Sequence, residues 1–566
     1  MDVIIRIYSI PWILSNLRYN LLTGLKYPTI TIFLEIMNRR YLYFTVFFAG
    51  MTTLAIEFTA SRLLGSVFGT SNLVWASIIG LILIYLTIGY FVGGWWADRS
   101  PYPKTFYSTL IWGAFLSGLI PFISRPVLRM AADAFDALQI GVLAGSFTAV
   151  LILFSIPITL LGVVSPFAIR LALHDSREAG QISGRIYAIS TLGSFVGTFL
   201  PVLVMIPLLG TTRTFVAFGI MLSLVALVGF GVTNEKRLAL IYLWIPIILI
   251  LLGILWGNGT IKNTSGQIYE TESAYNYIQV LQDGDYRYLR LNEGQGIHSI
   301  YHPDQLAYQG PWMQFLAAPF FNPSPFTIDE VSRYAIVGLA AGTTARQASA
   351  VYGPIPIDGF EIDPEIIRVG QRFFDMNQPN LNPIAEDGRI GLARSENRYT
   401  VIGIDAYRPP YIPWHLTTQQ FFQEVFNHLD DHGVLVINVG RAPEDRRLIN
   451  GLVATIQTIF PSVYVMDIPD TFNSIVYATR QPSTVDDLYR NYQALVEEAG
   501  VDPILIDAVQ KAILNLQTNP CEDFMQADDV RHQGCVVFTD DWAPIEWITN
   551  SLVLNYVLFS GMEEIQ

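Results

Sequence analysis

Between residues 41 and 256 the chain is a succession of apolar runs separated by short polar breaks. Seven runs stand out, at roughly 42–60, 73–96, 106–124, 141–171, 186–209, 214–232 and 238–256. Each approaches the ~20 apolar residues that a helix needs to cross the hydrocarbon core of a bilayer. The pattern therefore predicts seven membrane-spanning helices. The fourth run is long and carries Pro157 and Pro166, whose missing N–H groups predict a kink. Gly89, Gly93 and Gly94 in the second run, and Gly193 and Gly197 in the fifth, suit close helix packing. Residues 1–40 are mildly basic and amphipathic, interrupted by Pro11 and Pro28. They read as a cytoplasmic or interfacial segment, since no small-residue cleavage pattern follows an apolar run.

After Trp256 the pattern changes. Gly257–Gly266 (GNGTIKNTSG) is a polar linker, and YIQVLQDGDYRYLRL then alternates around Asp283-Gly284 as a β-hairpin does. From Tyr334 to His415, short apolar segments run into glycine or a carboxylate. Ala335–Leu339, Ile357–Ile362 and Thr400–Ile404 read as buried parallel strands, with helices starting at Thr343 and Pro364. A helix near Thr418–Leu429, a strand at Val434–Val439 and a strand pair, Ser462–Ile468 and Ser474–Thr479, follow. Residues 483–517 read as helical and acidic, and Met562–Gln566 as a short tail. The expected order is an N-terminal segment (1–40), a polytopic α-helical membrane domain (41–257), a linker and small β region (258–330), and an α/β domain with a doubly wound sheet (331–566).

Composition supports this division. Apolar residues make up 51% of the 566 and charged residues 14%, which is low for a soluble protein. Residues 1–257 carry 16 Lys and Arg against 9 Asp and Glu, a net of +7, while residues 258–566 carry 18 against 39, a net of −21. So acidic a soluble half argues against nucleic acid as a partner. Nothing in the sequence points to a metal, and a homo-oligomer is left open.

The candidate chemistry lies where the strands of 331–566 end. In an open α/β sheet, ligands bind beyond the carboxyl ends of the strands. Gly338 and Gly342 bracket the turn after the first strand; small residues there let a ligand approach the backbone and a helix N-terminus. Glu361 lies 23 residues after Gly338, near the spacing of a carboxylate that holds ribose hydroxyls, and Asp363 follows it. Asp387, before Gly388, could meet a base edge. Asp405 ends the strand Thr400–Ile404, opposite a cofactor's reactive end. His298, in the Gly-rich stretch NEGQGIHS, reads either as a polar pocket contact or as a structural hydrogen-bonding residue. The glycines alone lack the third glycine of a dinucleotide fingerprint; the ordered set of four pieces carries the reading.

These residues carry a resemblance to the spermidine synthases, the aminopropyltransferase branch of the AdoMet (S-adenosylmethionine) methyltransferase-like, Rossmann-like fold. ESAYNYIQV (Glu272–Val280) resembles the family's N-terminal segment, EIDPEIIRVGQRFF its acidic ribose-binding loop, and YTVIGIDAYRPPYIPWHLTTQQFF its catalytic strand and loop. FTDDWAPIEWI (Phe538–Ile548) resembles the C-terminal signature of members fused to a membrane domain. The resemblance spans roughly residues 270–550. It implies a transferase using decarboxylated AdoMet or AdoMet as co-substrate, without metal, and an amine acceptor. Asp405 would be the catalytic base, Gly338, Gly342, Glu361, Asp363 and Asp387 would hold the nucleoside, and Tyr275, Tyr407 and His298 would face the substrate. Two departures stand out. Asp405-Ala-Tyr-Arg408 has a cation where the family has a second acid, and Ala340-Ala341 replaces a Gly-Asp pair. A cation there repels a diamine's remote ammonium. Three readings follow: an aminopropyltransferase, a methyltransferase of the same fold with a neutral or anionic acceptor, and a non-catalytic nucleoside- or polyamine-binding domain attached to a transporter-like membrane part.

Loop charges place the N-terminus in the cytoplasm. Arg39, Arg40, Arg99, Lys104, Arg170, Arg177, Arg185, Lys236 and Arg237 fall on one set of loops, and only Arg62, Arg125, Arg129 and Arg213 on the other. Seven spans then put the soluble domain of a plasma-membrane protein outside, away from cytosolic AdoMet compounds. Either the span count is one off, or the outer domain does something other than the family reaction. Cys521 and Cys535, the chain's two cysteines, read equally as a disulfide of an exported domain or as two reduced thiols. Glu57, Arg62 and Asp98-Arg99 read as topology anchors or as part of a transport path.

Overall fold

A computed structural model describes residues 28–68, 72–138, 142–173, 175–257, 264–292, 296–308, 310–407, 412–441, 445–519, 521 and 534–555. The chain forms two compact units. One comprises Met1–Leu63, Ala76–Ala131 and Ser146–Ile261; the other comprises Lys262–Gln566 with Leu64–Trp75 and Ala132–Gly145.

Among the described residues, seven helices, lying mostly in the first unit, are long and apolar enough to cross a membrane: Arg39–Ser66, Val74–Arg99, Pro103–Leu128, Phe147–Ala172, Ala179–Leu209, Thr211–Val232 and Lys236–Leu255. The first belongs to a longer helix, Pro28–Phe68, so residues 28–40 continue into the span instead of forming a separate segment. Pro11 lies outside the described residues. The expected kink in the fourth span is a break at Val163, between helices Val142–Gly162 and Val164–Ala172. Pro166 follows three residues later and cannot donate to the Gly162 carbonyl. Four of the five packing glycines sit under a neighbouring backbone: a Cβ at Gly193 would lie 2.0 Å from the Phe47 carbonyl oxygen, one at Gly197 2.0 Å from that of Met51, and one at Gly89 2.4 Å from that of Thr159, while one at Gly93 would lie 2.8 Å from Val163 Cα. Gly94 has nothing within 4 Å and belongs to no such contact. Asp98 accepts from Arg170 Nε at 3.1 Å, joining the ends of the second and fourth spans, and Arg99 lies over the Trp95 ring.

The second unit holds two sheets. Strands β1 (Gln267–Glu272), β2 (Tyr277–Asp283), β3 (Tyr286–Leu291) and β4 (Ile297–Tyr301) form an antiparallel meander in sequence order. The expected hairpin is β2–β3, closed where Asp283 faces Tyr286. Strands β1 and β4 extend it on both sides. The larger sheet contains β5 (Tyr334–Val337), β6 (Ile357–Phe360), β7 (Leu381–Ile384), β8 (Tyr399–Ile404), β9 (Leu429–Gly440), β10 (Ser462–Asp467), β11 (Asn473–Thr479) and β12 (Leu516–Gln517), in the order β12-β10-β11-β9-β8-β5-β6-β7. The five strands from β9 to β7 are mutually parallel, and β11 is antiparallel to β9. Every residue of β5, β6 and β8 is buried, as expected of strands covered on both faces. Alternate residues serve two cores: Ala335, Val337, Ile402 and Ile404 one, Ile336, Val401 and Val436 the other.

Chain direction matters for function. After β5 the chain moves outward to β6 and β7, then returns to place β8 on the other side of β5. The carboxyl ends of β5 and β8 therefore flank a topological switch point, where the connections diverge and leave a crevice. Cys521 and Cys535 are both buried and form a disulfide with a Cα–Cα distance of 5.9 Å.

Candidate active site

At the switch point the turn after β5 touches the end of β8. Gly338 has φ +89°, and a Cβ there would lie 2.5 Å from the Asp405 carbonyl oxygen and 2.6 Å from the Ala406 nitrogen. Only glycine allows both the backbone angle and this approach. The turn continues through Ala340 (φ 48°) to Gly342 (φ 84°), the N-cap of helix α1 (Thr343–Val351). Its conformation is held by Glu361, just beyond β6, whose Oε2 accepts from the Ala340 N–H at 3.0 Å. Oε1 accepts from the Asp363 N–H at 3.1 Å. Glu361 is buried, and this desolvation raises its pKa to about 7 against the pull of those donors.

Asp363 performs a different task. One oxygen caps helix α2 (Pro364–Phe373) by accepting from the Glu365 N–H at 3.0 Å. The other accepts from Ser273 Oγ at 2.5 Å and Asn276 Nδ2 at 2.9 Å. Both partners sit in the turn between β1 and β2, within ESAYN. Asp363 thus ties the meander to the larger sheet, and its lone pairs serve protein donors. Tyr275 lies in the same turn and is 46% exposed. The meander also docks through β4: Ser299 Oγ accepts from the Ala341 N–H at 2.9 Å, and the Thr343 hydroxyl bonds both backbone groups of Ile300. His298 precedes Ser299 in β4. Its Nε2 is buried without a hydrogen-bond partner among the described residues, and burial lowers its pKa to about 4, so the ring is neutral.

Asp387 follows β7 and caps helix α3 (Gly388–Arg394), with Oδ1 accepting from Arg389 N–H at 3.0 Å and Ile390 N–H at 3.2 Å. Its Oδ2 meets His415 Nε2 at 2.9 Å, and this contact leads the effects that hold its pKa below the ordinary carboxylate value. Arg389 forks between Glu424 and Asp540, and Asp540 also accepts from Thr418 Oγ1 at 2.6 Å. The TDD signature thereby clamps α3 to helix α4 (Gln419–His428), which Thr418 caps.

Asp405 ends β8. Its Oδ1 accepts from Asn438 Nδ2 on β9 at 2.9 Å, and burial raises its pKa to about 6. The Tyr407 hydroxyl accepts from the Gly440 N–H and donates to the Asn438 carbonyl at 3.2 Å, so it braces the loop against β9. Arg408 lies outside the described residues. The strand ends thus bring Asp405, Gly338, Glu361 and Asp387 to one edge in the order β8, β5, β6, β7. Asp405 and Glu361 stand two strands apart, on the order of 10 Å. Sequence reasoning missed Ser273, Asn276, Ser299, His415 and Asn438. Asn438 alone left a signal, as a polar residue inside the apolar run VLVINVG.

Among the described residues no group of three or more His, Cys, Asp or Glu is placed to hold a metal ion. No family model matches the chain. Among curated proteins, it is 33% identical over 219 residues to a probable polyamine aminopropyl transferase of Bifidobacterium longum, a match covering 38% of this chain and 47% of that one. It is 27% identical over 287 residues to a polyamine aminopropyltransferase of Vibrio vulnificus, covering 49% of this chain and 89% of that one. The chain thus spans about half the length of the first relative and most of the second. Among solved structures, a probable spermidine synthase from Corynebacterium glutamicum is 20% identical with a TM-score of 0.36, covering 42% of this chain and 89% of that one. Over the matched stretch, the α/β half of this chain is similar in sequence to polyamine aminopropyltransferases.

Proposed function

We propose that the α/β domain binds decarboxylated AdoMet and transfers its aminopropyl group to an amine. The observation that carries this reading is the juxtaposition, at one switch point, of the glycine turn with Glu361 and Asp405. In this reading Glu361 accepts hydrogen bonds from the two ribose hydroxyls while its own donors, Ala340 and Asp363 N–H, hold it still. Asp387 and the N-terminus of α3 lie beyond β7, on the adenine side. The sulfonium then points back toward β8. Asp405 accepts a proton from the attacking ammonium, and the free amine displaces the thioether from the aminopropyl carbon. One C–N bond forms, one C–S bond breaks, and the neutral thioether nucleoside leaves. Tyr275, His298 and Tyr407 border the acceptor's path. Arg408 favours an acceptor without a second cation near Asp405.

The seven helices anchor this domain in the plasma membrane, and we place it on the outer face. The loop charges, the odd number of spans and the Cys521–Cys535 disulfide support that side. An outward domain depends in cells on nucleoside delivered there, whereas purified protein needs no delivery. The same disulfide favours a second reading, a domain that binds a nucleoside or polyamine without turning it over.

The test is transfer from decarboxylated AdoMet to a panel of mono- and diamines by purified full-length protein. Thioether nucleoside should appear in step with aminopropylated amine, and Asp405→Asn should lower kcat by about 10²-fold or more. Binding without product in every case selects the second reading. Unimpaired turnover by Asp405→Asn removes Asp405 as the base.

A further inference from the structure

Three neighbouring strands carry a chain of polar side chains that ends on Asp405. Ile404 of β8 pairs with Ile437 of β9, so Asp405 and Asn438 stand side by side. Asn473, the first residue of β11, pairs with Gly440 and reaches diagonally to Asn438. Asn473 Nδ2 donates to Asn438 Oδ1 at 2.8 Å, and Asn438 Nδ2 donates to Asp405 Oδ1 at 2.9 Å. Asn438 is buried, and so is the strand around it. A buried amide among Ile437, Val439 and Val436 costs stability unless its hydrogen bonds are made, and here they are made in one direction only.

That direction has a consequence. An asparagine side chain can present either its oxygen or its NH2 group to a neighbour. An ionised carboxylate requires the NH2 group, while a protonated one can be met by the oxygen. With Asn473 donating to Asn438 Oδ1, Asn438 turns its NH2 group to Asp405. We propose that Asn438 and Asn473 are positioning residues that hold Asp405 ionised, with Oδ1 committed to Asn438 and Oδ2 presented to the acceptor amine. This rests on the reading of Asp405 as the base.

Other charged and titratable groups around Asp405 are few. Tyr407 lies on its own loop, with its hydroxyl bonded to β9. Glu361 stands beyond β5, and the β5 turn (Gly338–Gly342) supplies no charged side chain. Arg441, after β9, lies 3.8 Å from Asp467 of β10, which Arg446 also pairs. Arg408 lies outside the described residues. Burial opposes ionisation of Asp405, and the Asn438 N–H is the group that favours it.

The test reads Asp405 directly. Full-length protein labelled at aspartate Cγ with ¹³C is titrated by NMR without nucleoside or amine, the signal being assigned by its loss in Asp405→Asn. Asn438→Ala should move the midpoint up by about one to two pH units, and Asn473→Ala should move it up by less. An unchanged midpoint in Asn438→Ala with native thermal unfolding overturns the proposal. If Asn438→Ala does not fold, Asn473→Ala, which removes no group touching Asp405, decides in its place on the same criterion. In turnover, the acid limb of kcat/KM should follow the midpoint, with kcat recovering at high pH; a loss equal at every pH contradicts the positioning role. A failed transfer assay would remove the base reading and leave the titration to decide the relay.

Discussion

Glu361 is buried and Asp405 half-buried, and the pKa values of both rise for the same reason, desolvation, to about 7 and about 6. The unfolded chain ionises both near pH 4. At these two sites the folded chain holds more protons than the unfolded chain between roughly pH 4 and 7, so they make stability fall as pH rises; His298, lowered to about 4, offsets part of that fall below pH 6.5, and two sites outweigh one. Asp387, Asp467 and Asp540 shift the other way, so their stabilising share is lost only on acidification below the ordinary aspartate range. Thermal unfolding of ligand-free protein should show a Tm that declines from pH 5 to pH 8, with a shallower decline in Glu361→Gln. Nucleoside binding should have the opposite slope, because ribose hydroxyls need the ionised carboxylate as acceptor. Affinity should weaken up to tenfold per pH unit below about pH 7, measured by calorimetry. The sequence shows these two acids by their places after apolar strands. It does not show that Asp363 differs from them, since its partners Ser273 and Asn276 lie 90 and 87 positions away.

At the scale of elements, the contact between the β5 turn and the end of β8 is the joint on which the site depends. Gly338→Ala puts a methyl group against the Asp405 backbone and forces a positive φ on a residue that resists it. It should cost about 2 kcal/mol or more of stability and abolish nucleoside binding; a variant that melts and binds as wild type would contradict the geometry. Strands β5 and β8 were legible because they are nearly unbroken apolar runs, and β6, which contains Asp358, because it leads into Glu361, Asp363 and Pro364. Strands β1, β4 and β12 were not: they are short, half-exposed and mixed in polarity, so neither alternation nor an apolar run marks them. Strand β7 contains Pro383, which reads as a strand breaker but is tolerated at the sheet edge where β7 lies. Strand β9 extends back to Leu429, beyond the apolar core of the run, because Leu429 pairs with Tyr399. The stretch 483–517, expected to be helical, holds two helices, Val485–Glu497 and Pro503–Leu514, separated at Gly500 (φ +91°), and ends in β12.

For the whole molecule, the apolar and charge patterns divide a basic, seven-helix part from an acidic α/β part, and that division was plain in the sequence. The outer placement we propose rests on a bias in loop charge and on the disulfide, since such bonds persist in oxidising compartments. A reporter fused after Gln566 should be active outside the cytoplasm and inactive inside, and the reverse would place the domain with the cytosolic nucleoside pool. Reduction of the 14-residue Cys521–Cys535 link should cost the folded domain about 3 kcal/mol in denaturant unfolding, because it frees a loop that the oxidised chain keeps closed.

The central claim is that carboxylates at adjacent strand ends bind one sulfonium nucleoside. Calorimetry of the purified full-length protein with decarboxylated AdoMet tests it most directly. Saturable binding with one site per chain, abolished in Glu361→Ala while the thermal unfolding of the variant stays cooperative, is the predicted result. No heat of binding by the wild-type protein, or equal affinity in Glu361→Ala, would contradict it.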